Sequence, residues 1–127
     1  MYPLFWLVLI VLVIAWYFYR ASRSRTVPQF SPAEVSEKLS TSRATLLLDV
    51  RTDAERSESH IKGSIHIPLQ LLRSRAGELA RYKGNEIICY CRSGNRSISA
   101  ALILRGLGFN AASMRGGLVE WNFSQRL

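Results

Sequence analysis

The chain opens on a stretch with no polar alternation. Leu4 to Tyr19 contains no charged residue, Gly or Pro. As a helix, residues 1–19 would rise roughly 28 Å, close to the ~30 Å hydrocarbon core of a bilayer. Trp6 near one end and Trp16, Tyr17 and Tyr19 at the other are spaced like interfacial aromatic belts. The pattern predicts one transmembrane helix over residues 1–20, touching lipid through residues 4–19. A cleaved signal peptide is the rival reading, and a buried core helix is the third. Met1-Tyr2-Pro3 lacks the basic residues that a signal's start requires, and no small-x-small cleavage site follows the apolar run.

After a polar linker predicted over residues 21–30, the pattern breaks into short alternating elements. Ser31-Pro32-Ala33-Glu34 combines a Ser cap, Pro in the first turn and Glu three residues after the cap, so a helix should run to about Leu39. Thr45 to Val50 is a short apolar run that predicts a buried strand. Thr52-Asp53-Ala54-Glu55 repeats the capping pattern and opens a helical turn toward Ser59. Ser64 to Pro68 predicts a brief strand ended by proline. Leu69, Leu71, Leu72 and Leu79 predict a helix that stops before Lys83-Gly84-Asn85. Glu86 to Tyr90 reads as a fully buried strand. Ser97 to Leu107 reads as an amphipathic helix closed by Gly106 and Gly108. A strand over Ala111 to Met114 and a short helix over Gly117 to Trp121 complete the series. Strands alternating with helices predict one mostly parallel, doubly wound α/β domain of about 100 residues, occupying 31–127.

Charge narrows the partners. The chain carries +8 overall. Arg20, Arg23 and Arg25 follow the apolar run directly, which by the positive-inside rule predicts a single pass through the cell inner membrane with the domain facing the cytoplasm. Without those three the remainder is about +5, a bias toward small anions or anionic partners. Nucleic acid is not expected, because the basic residues are scattered and lack interleaved aromatics. The two cysteines, Cys89 and Cys91, are read as facing opposite sides of a strand and so not as a disulfide. Two cysteines and two histidines at these spacings match no zinc pattern, and no metal is expected.

Candidate chemistry centres on Cys91-Arg92-Ser93-Gly94-Asn95-Arg96-Ser97, between the strand at 86–90 and the helix expected from Ser97. In open α/β sheets ligands bind beyond the carboxyl ends of strands. Residues 91–96, read as a tight turn, would aim backbone N–H groups at one point, and the following helix adds partial positive charge. A thiol held there has its pKa lowered from about 8.5 into the ~3.5–7.5 range. Gly94 permits positive φ or close backbone approach. Arg92 and Arg96 are placed to bind an anionic leaving group, and Ser93 and Ser97 offer hydroxyls. Cys89, inside the apolar run, reads as a buried inert thiol.

From Ser31 to Trp121 the chain resembles a single rhodanese domain. The ordered set is Leu48-Asp49-Val50-Arg51, Glu55, His60-Ile61-Lys62-Gly63-Ser64-Ile65-His66-Ile67-Pro68, the Cys91 loop, and Gly116-Gly117 with Trp121. Arg56 stands where the family often has an aromatic residue, and Ser59 where it usually has Gly. The resemblance implies a five-stranded parallel sheet flanked by helices and sulfurtransferase chemistry without metal or organic cofactor. It implies that Asp49 and Arg51 order the active-site neighbourhood. His60 is expected to cap a turn or bond the backbone, and His66 to be a half-buried strand residue. Related phosphatases and arsenate reductases carry a C-x5-R loop that fits a tetrahedral oxyanion. Here Cys91 to Arg96 is C-x4-R, a smaller cradle suited to a persulfide.

The expected reaction is therefore transfer of a sulfane sulfur from thiosulfate or a persulfide donor, through a persulfide on Cys91, to a thiophilic acceptor such as cyanide or a thiol. The alternatives are a membrane-tethered sulfur-relay or binding module with little turnover, loaded by a partner protein, and a small phosphatase or arsenate reductase.

Overall fold

The computed structural model describes residues 2–24 and 27–126, without the side chains of Arg23 and Ser24. Arg25 and the Arg23 side chain, two of the three arginines read as topology determinants, lie outside the described residues. So do Met1, Thr26 of the expected linker and Leu127 at the end of the expected domain.

Helix α1 runs over Pro3–Ser24, beyond the expected end, because Arg20 to Ser24 contains no helix breaker. Its Pro3–Ser22 stretch has a mean hydropathy of 2.1 and is nowhere buried, so by length and composition it is long and apolar enough to cross a membrane. A cavity of about 930 Å³ is lined by the Trp16–Ala21 end of α1, by Arg73 and by residues 95–107 of a later helix and its end.

The rest of the chain forms a five-stranded, all-parallel sheet in the order β1-β5-β4-β2-β3. The strands are β1 Gln29–Phe30, β2 Thr45–Asp49, β3 Ile65–His66, β4 Glu86–Tyr90 and β5 Asn110–Met114. Helices α2 Pro32–Thr41, α3 Asp53–Glu58, α4 Leu72–Arg75, α5 Asn95–Gly106 and α6 Gly117–Ser124 connect and flank them. Both expected capping boxes are present. Ser31 Oγ accepts from the Glu34 amide and Thr52 Oγ1 from the Glu55 amide, each at 3.2 Å. Each satisfies an amide that the helix start leaves without a partner.

Alternation along β4 divides the core in two. Ile87, Cys89 and Cys91 enter the layer that holds Leu48, Ile67, Leu72, Leu79, Ala101 and Leu104. Ile88 and Tyr90 enter the layer built on Val35, Leu47, Met114 and Leu118. The expectation that the two cysteines face opposite sides is thus corrected. Residues two apart on a strand share a face, and both thiols, each free, point into the α5 layer.

Three further expectations are revised. The linker contains β1, which pairs in parallel with β5. Two residues held by backbone bonds leave no hydrophobic period to read. The single helix expected over 69–82 is three pieces, a 3₁₀ turn at Leu69–Leu71, α4, and a 3₁₀ stretch at Ala76–Tyr82. Leu72, Ala76 and Leu79 still reach the core, but Gly77 is the weakest helix former other than proline and the backbone tightens around it. Helix α5 starts at Asn95, two residues earlier than expected.

The connection from β2 runs to β3 on one side of the sheet, and the connection from β4 runs to β5 on the other. The crevice beyond the carboxyl ends of β2 and β4 is the topological switch point. Arg51 and Cys91 stand there.

Candidate active site

Cys91 leaves the buried end of β4 and is itself 1% exposed. The chain turns over Arg92 and Ser93 to Gly94, whose φ of +107° allows α5 to start at once. Asn95 and Arg96 therefore belong to the first turn of α5 and not to a loop of six. The Gly94 amide donates to Cys91 Sγ at 3.1 Å. The Cys91 thiol lies 3.6 Å from Ser97 Oγ, which donates to the Gly94 carbonyl at 3.1 Å and pairs with Ser113 Oγ at 2.7 Å. Burial pushes the Cys91 thiol up. Hydrogen bonds from the Ser97 hydroxyl and from the amides of Ser97, Gly94 and Ser93 outweigh it, and the net displacement is downward. Burial and the neighbouring Cys91 push Cys89 strongly up, which leaves it a neutral core thiol.

The outer side of the turn is held by α6. The Leu118 amide donates to the Cys91 carbonyl at 2.8 Å and the Val119 amide to the Arg92 carbonyl at 3.2 Å. With these carbonyls drawn toward the positive end of α6, the amides of the turn remain directed at the sulfur. Gly117 makes the approach possible. It has φ +59°, and a Cβ there would lie 2.4 Å from the Arg92 oxygen and 2.5 Å from the Cys91 oxygen. Gly116-Gly117, read from sequence as a turn, thus forms the wall behind the cradle.

Asp49 and Arg51 meet as a fully buried pair. Asp49 accepts from the Arg51 amide at 2.9 Å, from Arg51 Nε at 3.0 Å and Nη2 at 2.9 Å, from Tyr90 Oη at 3.1 Å and from Arg56 Nη1 at 3.3 Å. Burial pushes the Asp49 carboxyl up, but the Arg51 guanidinium and amide hold it below the usual carboxylate range. Arg56, in the position expected to be aromatic, also donates to Ser64 Oγ and to the Ser64 carbonyl. Ser59, in place of the expected Gly, has φ −164° and needs no glycine. Its carbonyl accepts from Arg51.

The other expected site residues separate into distinct settings. Arg96 forms a two-pronged pair with Glu55 at 2.6 and 2.9 Å and does not stand ready for an anion. Arg92 is exposed and, among the described residues, its side chain has no hydrogen-bond or ion-pair partner. It borders a groove of about 230 Å³ whose other charged lining residues are Arg51, Glu55 and Glu58, with Leu118 and Asn122 also in its lining. Ser93 and Asn95 are exposed at the rim. His60 is exposed, its Nδ1 3.4 Å from the Arg56 carbonyl, apart from the cradle. His66 is half-buried with Nε2 2.8 Å from the Arg51 carbonyl. Sequence reasoning missed Ser113, Tyr90, and the roles of Arg56 and the α6 amides. These are contacts between residues distant along the chain, and no local motif signals them.

The Arg96 guanidinium beside Glu55 is the main reason that the Glu55 carboxyl falls to about 2. A depressed carboxylate contributes stability that is full above its unfolded pKa of about 4.3 and is lost as pH falls toward about 2. Glu55→Gln should therefore cost on the order of 1 kcal/mol at neutral pH, the pair being partly solvated. The difference from the parent should narrow below about pH 4 and be nearly closed at about pH 2. Denaturant melts of both proteins across pH 2 to 7 check this, and a gap that does not depend on pH would contradict it.

The comparisons with known proteins agree with this geometry. The family model described as "Rhodanese-like domain" matches residues 31–124. A protein of Allochromatium vinosum named "Sulfurtransferase" is 31% identical over 96 residues, 75% of this chain and 88% of its own length. "Thiosulfate sulfurtransferase PspE" of Escherichia coli is 31% identical over 73 residues, 58% of this chain and 70% of its own. The crystal structure of a rhodanese-related protein from Thermoplasma volcanium superimposes with a TM-score of 0.69 at 30% identity, covering 76% of this chain and 92% of that one. A parallel sheet of five strands, a cysteine cradle at its switch point and a family match across nearly all of the folded domain lead to one conclusion: the chain belongs to the rhodanese-like domain family, whose relatives include sulfurtransferases.

Proposed function

We propose that Cys91 is the nucleophile of a sulfurtransferase that takes a sulfane sulfur from thiosulfate or a persulfide donor. The Cys91 thiolate attacks the outer sulfur of the donor. The donor's S–S bond breaks, and sulfite or a thiolate leaves with the electron pair. The terminal sulfur of the Cys91 persulfide is then attacked by cyanide or a thiolate, and the Cys91 thiolate is restored. No oxidant, metal or organic cofactor enters this balance. A thiolate already favoured by its surroundings needs no separate base, so His60 has no part in it.

The observation that carries this reading is the destination of Arg96. A phosphatase or arsenate reductase would need that guanidinium on the oxyanion, whereas both of its terminal nitrogens are engaged by Glu55. What converges on Sγ is the Ser97 hydroxyl and the amides of Gly94, Ser93 and Ser97, a small polar cradle for sulfur. Turnover of thiosulfate with cyanide, alongside hydrolysis of an aryl phosphate and reduction of arsenate, tests the assignment. Thiocyanate formation alone is expected. Sulfur loading without turnover would favour the relay reading, and phosphate release would overturn the sulfur reading.

Arg92, the loop cation whose side chain has no partner among the described residues, is proposed to bind anionic donors. Arg92→Ala should lower kcat/KM for thiosulfate roughly tenfold, the worth of about 1.4 kcal/mol, and for an uncharged persulfide donor much less. Equal losses for both donors would remove that role.

We further propose that α1 anchors the enzyme in the cell inner membrane as a single pass, with the domain on the cytoplasmic side. The support is its hydropathy, its aromatic ends and Arg20 just past them. Protease added to inside-out vesicles should digest the domain, and protease added to right-side-out vesicles should spare it. The reverse would place Cys91 on the other face.

A further inference from the structure

Ser113 sits on β5 in register with Cys89 and is fully buried. Among the described residues its hydroxyl reaches only Ser97 Oγ, at 2.7 Å. The hydrogen atoms around Ser97 can therefore be counted. A serine hydroxyl holds one proton and two lone pairs. Ser97 Oγ has three neighbours, the Gly94 carbonyl, which can only accept, the Cys91 sulfur and Ser113 Oγ. If Ser97 gave its proton to Ser113, the Ser113 proton would be buried with nothing to bond, which buried hydroxyls avoid. Ser113 must donate. Ser97 then gives its own proton to the Gly94 carbonyl, and its second lone pair takes the Cys91 S–H.

Loss of the Cys91 proton changes this balance. The sulfur becomes a charged acceptor, stronger than a neutral carbonyl, and the Ser97 proton can turn from Gly94 to Sγ. The Ser113 donation persists throughout. It occupies one Ser97 lone pair, fixes where the hydroxyl can point, and polarises it as one link of a hydrogen-bonded chain. We propose that Ser113 is a positioning residue, acting through Ser97 to orient the hydroxyl that stabilises anionic sulfur on Cys91. This rests on the reading of Cys91 as the reacting group. A residue outside the loop and its flanking helix would thereby set the charge state of the site, from a strand whose Ala111, Ala112 and Met114 side chains pack into the core.

The test compares Ser113→Thr with Ser113→Val, nearly equal in volume and differing in the hydroxyl. The readout is the pH profile of Cys91 alkylation by iodoacetamide, with Cys89 held as an unreactive neutral thiol by burial and the neighbouring Cys91. Below the apparent pKa, the Val protein should react roughly twofold to fivefold more slowly than the Thr protein, with the same plateau at high pH, because one link of a chain to a charged acceptor is lost. In a Ser97→Ala background the two should coincide, since the effect passes through Ser97. Superimposed Thr and Val profiles in the parent background would overturn the proposal, as would a difference that survives Ser97→Ala. Alkylation needs no sulfur donor. If the parent protein failed to load sulfur, the functional reading would fall while this measurement still decided the role of Ser113.

Discussion

Cys91→Ser is expected to yield a folded protein whose sulfur transfer to cyanide falls by at least about 10³-fold, because the nucleophile is the thiolate and a serine hydroxyl is a weak one at its own pKa. The loss should be chemical and not structural. Serine is no larger than cysteine, the Gly94 amide still finds an acceptor, and the α6 amides bind the backbone of residue 91, which the substitution leaves intact. A thermal melt within a few degrees of the parent, read beside the cyanide assay, separates the two causes. Activity near the parent's would contradict the assignment of Cys91. A large drop in Tm would show that the thiol also supports the core layer that it enters with Ile87 and Cys89.

Asp49→Ala should have the largest effect on stability. Its carboxylate is fully buried and takes hydrogen bonds from Arg51, Arg56 and Tyr90, while Arg51 itself is only 3% exposed. Removing the acceptor leaves a guanidinium in the interior without its counter-charge. Breaking a buried pair in this way costs about 3–5 kcal/mol, a large share of the 5–15 kcal/mol that stabilises a typical domain. Asp49→Asn keeps an acceptor oxygen and should cost less. Because the Asp49 carboxyl is held low in the folded state, its contribution is complete above the unfolded pKa of about 3.9 and is lost as pH falls through the folded value. The gap between Asp49→Ala and the parent should therefore shrink in strong acid. Urea melts at neutral and acidic pH measure both quantities. A loss under about 1 kcal/mol at neutral pH would contradict the central place given to this carboxylate.

What the sequence discloses of this fold follows the range of the forces involved. The helix starts at Ser31 and Thr52 were legible because a capping box is local, with cap and Glu three residues apart. Strands β2 and β4 were legible to within a residue, since a parallel strand buried on both faces is a short apolar run. β1 was not, for its pairing partner lies more than eighty residues away and it brings no periodicity of its own. The broken segment at 69–82 kept its buried leucines but not its regular helix, which Gly77 does not support. Within the site the same division holds. The cysteine, the glycine that opens α5 and the serine beyond it form one contiguous motif. The capture of Arg96 by Glu55, the clamp from α6, the Asp49–Tyr90 bond and the Ser113 donor all join residues distant in sequence. Only the folded chain brings them together. The sharpest consequence concerns Arg96. The motif placed two cations beside the sulfur, and the fold neutralises one of them.

The most direct test of the account is the mass of the full chain in detergent after incubation with thiosulfate, followed by a peptide map. One added sulfur on the peptide that carries Cys91, assigned to Cys91 and not to Cys89, and its removal by cyanide as thiocyanate is the predicted result. An unmodified Cys91, or a sulfur that cyanide cannot remove, would contradict it.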